Sequence, residues 1–267
     1  MVLDRTAEGG WLPGGPSLYA ARCAAALGVD VTLVTGMERG YPEEVLRGLC
    51  VVSAMVDSLP RYANRYDSAG ARTQLLLAEG TALPPGLYER IAPCDVLFLA
   101  PAYHEIGQWP QIDARVRAVS LQGLLRATGA NGRVVHRPGA WQAVQSFVEP
   151  GAFCFFSDED TADADGLARR IAAAGAIALV THGPSGAARY FGISKEERPA
   201  VLATPVDPTG AGDCFAMAYA VRFAEMQDGD AAFSFALAAG ALAVEGAGIS
   251  GIPSRAAIEE RLAKVAA

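Results

Sequence analysis

The sequence predicts an α/β fold: a doubly wound, mostly parallel sheet with helices on both faces. Two observations carry this. Apolar runs at residues 31–35, 73–78, 95–100, 152–157 and 176–181 read as strands, and they are nearly continuous rather than alternating, as in strands covered on both sides. Helical patterns fall between them, and that alternation is the mark of strand–helix–strand units.

Each element has a local reason. Residues 16–27 start on Pro16 and stop at Gly28, the asymmetry expected of a helix. Residues 161–174 follow an acidic cluster and end at Gly175, with Asp160 or Thr161 able to cap them. Residues 211–226, 229–245 and 254–266 are helical. Residues 61–80 are polar, with Gly70 inside 67–72, and read as a hairpin projecting from the main body. The start is unusually short for this fold. Only Met1, Val2 and Leu3 precede Asp4, where an apolar strand is expected before the first helix. That strand is either very short or lies partly upstream of Met1. No repeat, linker or low-complexity stretch divides residues 1–267, so one domain is expected.

Composition narrows the function. A chain of 267 residues, 51% apolar and 19% charged, can bury a sizeable core. A net charge of −7 argues against a nucleic-acid partner, which needs clustered basic residues. The cysteines (Cys23, Cys50, Cys94, Cys154, Cys214) are odd in number, with no Cys-x-x-Cys pair, and His104, His136 and His182 lack metal-ligand spacing. A reducing cytoplasm without disulfides or zinc is expected. Asp4, Arg5 and Glu8 interrupt any signal peptide. The longest apolar run, 231–244, is shorter than the roughly 20 residues a membrane span needs. It reads as a buried helix, with no membrane partner.

The strongest signal is Asp207-Pro208-Thr209-Gly210-Ala211-Gly212-Asp213, between a strand-like segment at 200–206 and an apolar helix. Gly210 and Gly212 allow a tight turn. The amides of Gly210, Ala211, Gly212 and Asp213 would then face outward at a helix N-terminus, where free donors and the helix dipole attract phosphate. Asp213 in the first turn can take a proton from a hydroxyl beside that phosphate, help worth roughly 10² to 10⁴ in rate. The same residues also make an ordinary capping turn. A Gly-x-x-x-x-Gly-Lys-Ser/Thr loop is absent, since the only lysines are Lys195 and Lys264, and no Gly-x-Gly-x-x-Gly follows the first strand.

The seven residues 207–213 closely resemble the C-terminal signature of the ribokinase-like PfkB family of sugar kinases, with Pro208 as the departure. Gly14-Gly15-Pro16-Ser17 resembles the family's N-terminal Gly-Gly signature, where the glycines let the chain approach the sugar. Asp4 is placed like the aspartate that binds acceptor hydroxyls, and Thr181, Gly183 and Gly186 match a nucleotide-binding turn between two strands. Glu245 and Gly246, in Val244–Gly248, resemble the segment around an adenine pocket. The resemblance runs from Asp4 to Pro253 in order.

What the resemblance implies is an ATP-dependent kinase phosphorylating a hydroxyl of a small sugar or sugar-like acceptor. Asp213 would be the base, Gly210–Gly212 would hold the transferring phosphate, and Asp207 and Thr209 would lie on the donor side. Asp4, Gly14 and Gly15 would meet the acceptor. A nucleoside or cyclitol kinase, or a ligand-binding protein on the same fold, is the alternative. ATP and magnesium are the implied cofactors; a monovalent cation and a homodimer stay open. The family's Asn-x-x-Glu magnesium segment is altered here to Ser157-Asp158-Glu159-Asp160, leaving Ser157 and Asp160 as metal candidates. Oxygen donors suit magnesium; an acidic run also suits a solvated helix start. The family's β lid is expected to be short, supplied by residues 61–78. Segments 100–105 and 121–126 resemble a bacterial subgroup of the family.

Overall fold

The computed structural model describes residues 1–6, 8–66 and 72–266. In chain order the elements are β1 (Val2–Arg5), β2 (Trp11–Gly14), α1 (Pro16–Ala26), β3 (Thr32–Met37), β4 (Cys50–Met55), β5 (Arg61–Tyr66), β6 (Arg72–Ala78), β7 (Cys94–Leu99) and β8 (Ala114–Ser120). Then come α2 (Gln122–Leu125), β9 (Arg126–Thr128), β10 (Val134–His136), α3 (Ala140–Val144), β11 (Phe153–Ser157), α4 (Ala164–Ala173), β12 (Ile177–Thr181), β13 (Ala187–Phe191) and β14 (Ser194–Arg198). Three helices finish the chain: α5 (Ala211–Met226), α6 (Gly229–Ala243) and α7 (Arg255–Ala266).

The main sheet runs β14-β13-β12-β11-β8-β7. Strands β7, β8, β11 and β12 are parallel, and β13 and β14 return antiparallel at one edge. Strands β3 and β4 form a separate parallel pair. Helices cover both faces as expected. On one side Leu167, Ala168 and Ile171 of α4 pack on Cys154, Phe156, Ala178 and Val180. On the other, Phe215 and Tyr219 of α5 and Phe233 of α6 pack on Phe153, Phe155 and Leu179. The apolar run 231–244 is this buried α6, and no helix among the described residues is long and apolar enough to cross a membrane. The described cysteines are free.

Four expectations need correction. Residues 2–5 do form a strand, but β1 does not enter the main sheet; it pairs antiparallel with β2 and parallel with β5. The lid is therefore not a short hairpin but a four-stranded sheet, β2-β1-β5-β6. Its hairpin lies where the sequence placed it, and the Gly70 turn falls outside the described residues. Residues 200–206 are not a strand. Pro199 and Pro205 limit the donors available for a ladder, and Leu202 and Val206 stay 92% and 66% exposed, with Val206 tied to the Val244 carbonyl instead. Finally, the helix expected at residue 161 starts at Ala164, because Asp163 caps it by accepting the Gly166 amide at 2.9 Å, while Asp160 closes a separate turn upstream.

Candidate active site

The site lies at the C-terminal ends of the parallel strands, where such sheets bind ligands, beneath the lid. Its floor is the start of α5. Gly210 has φ 81°, and a Cβ there would fall 2.2 Å from a ring atom of Tyr19, so both backbone conformation and space require glycine. At Gly212 a Cβ would meet nothing within 4 Å; that side is open to the cleft. The Ala211 amide donates to the Pro208 carbonyl at 3.2 Å, which removes it from the expected anion donors. Gly212 and Asp213 remain as first-turn amides with no acceptor inside the helix. Asp207 braces the loop: its oxygens accept the amides of Thr209 at 2.9 Å and Gly248 at 3.0 Å.

The Gly14–Gly15 loop and the Gly210–Asp213 turn, almost two hundred residues apart, share this cleft. A Cβ on Gly14 would lie 2.7 Å from an Asp4 carboxylate oxygen, and one on Gly15, at φ 96°, would meet Val2 at 2.8 Å. These two glycines lay the lid strand β1 against the start of α1. Tyr19, one turn into α1, carries the contact onward to Gly210. Burial pushes the Tyr19 hydroxyl far up, reinforced by the charges of Asp207, Asp4 and Asp213. The charges of Asp4, Asp207 and Asp213 thus all reach the Tyr19 hydroxyl.

Burial pushes the Asp213 carboxyl up to about 7; the Arg126 guanidinium pulls it down and the Asp160 carboxylate pushes it up. A carboxyl poised there is about half ionised at neutral pH, and its ionised form is basic enough to take a proton. Arg126 is a residue of this site that the sequence did not single out. It opens β9, stacks over the Tyr62 ring at 5.4 Å, and its charge acts on both Asp213 and Asp160. Its backbone is fixed from behind: Arg137 Nη1 donates to His104 Nδ1 at 3.0 Å, and His104 Nε2 donates to the Arg126 carbonyl at 2.9 Å. Tyr62, on β5 opposite Asp4, donates to the Ala102 carbonyl at 2.8 Å and is pushed up to about 12 by burial, against the pull of Arg126. Nothing in the spacing of residues 121–126 marks Arg126; only the folding of β9 across the cleft does so.

The acidic segment is built as a cap. Ser157 Oγ accepts the Glu159 amide at 3.2 Å and Asp160 accepts the Ser157 amide at 2.8 Å, a reciprocal capping box. Asp158 turns away to His182 at 2.8 Å. Asp160 is pushed up by burial and held down by the Ser157 amide, Arg126 and Gln122. Among the described residues no three His, Cys, Asp or Glu side chains stand close enough to hold a metal directly. The oxygens present fit a hydrated magnesium reached through water, not an ion coordinated by the chain. Ser157 lies beside Thr181 in the β11–β12 register, so the cap and the Thr181–Gly186 turn are neighbours. Gly186, at φ 111°, fits because a Cβ would strike the Arg198 carbonyl at 2.1 Å, while Gly183 is open. Glu245 is engaged by Arg261 at 2.8 Å and the Thr204 amide at 3.2 Å, and Gly246 lets Gly251 approach closely, so both shape the wall after α6.

The model of the pfkB family of carbohydrate kinases matches residues 135–255, from β10 to the start of α7. The ribokinase of Bacillus subtilis (strain 168) is 44% identical over 86 residues, 32% of this chain and 29% of that protein, so the match spans less than a third of that relative. The fold likeness is longer. The Thermotoga maritima ribokinase superposes with a TM-score of 0.71 at 20% identity, covering 98% of this chain and 95% of its own. A pyrophosphate-dependent kinase of the ribokinase family gives 0.75 at 20% identity over 97% and 96%. The Arabidopsis thaliana ribokinase, complexed with ribose and ATP, gives 0.68 at 16% identity over 98% and 94%. The chain therefore carries a segment that matches the pfkB family of carbohydrate kinases at residues 135–255 and shares the ribokinase fold along its length.

Proposed function

We propose that the protein is a kinase that transfers the γ-phosphoryl group of ATP to a hydroxyl of a small sugar or sugar-like acceptor, with Asp213 as the general base. The observation that carries this reading is the pairing of a carboxyl near 7 with the free first-turn amides of Gly212 and Asp213 at one helix start. Asp4 orients the acceptor hydroxyl, Asp213 takes its proton, and the two amides hold the oxygens of the phosphoryl group as charge develops. Arg126 offsets negative charge between Asp213 and Asp160. Ser157 and Asp160 would hold a hydrated magnesium ion, which would supply positive charge to neutralise the donor's phosphates. Thr181, Gly183 and Gly186 flank the donor, and the exposed apolar Leu202 and Val206, beside the 244–248 loop, offer a surface for a base.

The fold also serves other donors and acceptors. One structural neighbour is a pyrophosphate-dependent kinase complexed with myo-inositol, another an archaeal nucleoside kinase. The deciding experiment is a product assay with ATP or pyrophosphate as donor, with magnesium, against a panel of pentoses, hexoses, cyclitols and nucleosides. Transfer from ATP to a sugar or cyclitol supports the reading. Transfer only from pyrophosphate, or only to nucleosides, replaces donor or acceptor. Ligand binding without transfer to any acceptor leaves a binding protein on a kinase fold.

A further inference from the structure

Asp213 and Asp160 stand at different ends of the proposed transfer, one beside the acceptor hydroxyl and the other beside the donor phosphates. The β9–β10 hairpin reaches both ends. Residues 126–137 carry Arg126, Arg133, His136 and Arg137 and no Asp or Glu, in a chain of net charge −7. A wholly cationic hairpin laid along an acidic cleft has the charge of an anion-binding element.

Two contacts fix where Arg126 stands. On the acceptor side its guanidinium lies over the Tyr62 ring at 5.4 Å, and Tyr62 is the register partner of Asp4. On the donor side His136, directly opposite Arg126 in the hairpin, donates from Nε2 to the Glu159 carbonyl at 2.9 Å, inside the 157–160 turn. Opposite residues of an antiparallel pair project from one face. Arg126 therefore stands between the lid strand beside Asp4 and the turn that holds Asp160. The charges agree with that placement: Arg126 acts on both carboxyls, and Asp160 acts on Asp213.

Arg126 nevertheless joins none of the ion pairs among the described residues. It is held off the two carboxylates by the Tyr62 ring and by its anchored backbone. His104 grips its carbonyl, and the Leu75–Arg133 bridge pins the far end of the hairpin to the lid strand β6. A half-buried guanidinium, with a rigid fork of donors not spent on any carboxylate, is suited to a phosphate-like oxyanion.

We propose that Arg126 is a catalytic residue that grips the oxygens of the transferring phosphoryl group. This rests on the kinase reading above and adds a contact to it. The acceptor oxygen forms its bond to phosphorus and gives its proton to Asp213. The bond from phosphorus to the bridging oxygen breaks, and its electron pair leaves with the rest of the donor. On taking the proton Asp213 loses its charge. Arg126 is then released from that field while negative charge moves across the phosphoryl oxygens to the leaving group. The contact is stronger in the transition state than with the bound donor, which is the condition for raising kcat.

The test compares a ground-state donor with a transition-state mimic on the full chain, with magnesium. The probes are the non-hydrolysable imido analogue of ATP, and ADP with aluminium fluoride, both read by calorimetry. Arg126→Gln is expected to weaken the mimic complex roughly a hundredfold and to change the affinity for the imido analogue less than about threefold. Arg126→Lys restores the charge without the fork and should remain about tenfold weaker than the parent on the mimic. Arg133→Gln, on the same hairpin, should match the parent on both probes, and a melt of each variant checks its fold. Equal losses on both probes would make Arg126 a ground-state donor contact, and parent-like affinity for the mimic would leave it a tuner of Asp213; either result overturns the proposal. A parent chain that binds neither nucleotide probe removes ATP from the kinase reading but not Arg126 from the site. Imidodiphosphate against phosphate with aluminium fluoride then decides on the same terms. A parent that binds neither pair of probes ends both the kinase reading and the proposal.

Discussion

At the scale of single residues, the proposed chemistry turns on Asp213 and the cation beside it. Asp213→Asn is expected to reduce phosphoryl transfer by roughly two orders of magnitude or more while donor binding survives, read by kcat and by calorimetry. Near-normal turnover would remove Asp213 from the role. The pH dependence follows from the sign of its shift. The native carboxyl holds its proton up to about 7, whereas an unfolded aspartate releases it near 4. Activity that needs the ionised form therefore rises as pH increases through about 7. Stability runs the other way: the native state binds the extra proton between about 4 and 7, so this group's contribution falls as pH rises across that window. Asp213→Asn should consequently melt higher than the parent at pH 8 and lose that advantage at pH 4. Arg126→Gln removes the charge that lowers Asp213. It is expected to move the rising limb of the rate profile to higher pH and to cost roughly one to two orders in kcat, with Arg126→Lys recovering the limb. A lower kcat with an unmoved limb would make Arg126 a packing residue on Tyr62.

At the scale of elements, two helix starts do different work although both read as acidic or glycine-rich turns. The α5 start leaves its first-turn amides free and holds Gly210 in a left-handed conformation against Tyr19. Gly210→Ala is expected to lower Tm and activity together, since a Cβ has neither conformation nor space. The 157–160 turn closes on itself through Ser157 and Asp160. Asp160→Ala is expected to raise the magnesium concentration needed for half-maximal activity, and losing the cap should cost about 1 kcal/mol in a melt. A lower melt with an unchanged magnesium titration would assign this carboxylate to the cap alone.

At the scale of the whole molecule, the proposed function makes the four-stranded sheet β2-β1-β5-β6, whose strand β1 holds Asp4, a lid over the acceptor. Trp11, on β2, has the guanidinium groups of Arg5 and Arg61 at 5.7 and 5.3 Å from its ring and is 39% exposed. Its fluorescence should therefore change when the lid settles on an acceptor. Trp11→Phe is expected to raise KM for the acceptor several-fold with little change in kcat, because the ring lies in the lid and not at the reacting carboxyl. Equal loss in both constants would place Trp11 in the chemistry instead.

The sequence alone determined the fold class, the bounds of α5 at residues 211–226, the buried α6 and the hairpin at 61–80, because periodicity, prolines and glycines act locally. It also located the Gly210–Asp213 turn, since a glycine-rich link into an apolar helix is written in consecutive residues. It could not assign β1 to the lid: four apolar-to-polar residues fit either sheet, and pairing with β2 and β5 is a non-local choice. The strand expected at 200–206 failed for the same reason, for no neighbouring edge accepts it and the prolines weaken its ladder. Arg126 was invisible because its importance lies in the charges it meets, and Asp160 and Asp213 stand 34 and 87 residues away along the chain. Only the tertiary structure sets that carboxyl pair around one guanidinium, because charges distant along the chain meet only once strands and helices have chosen their partners.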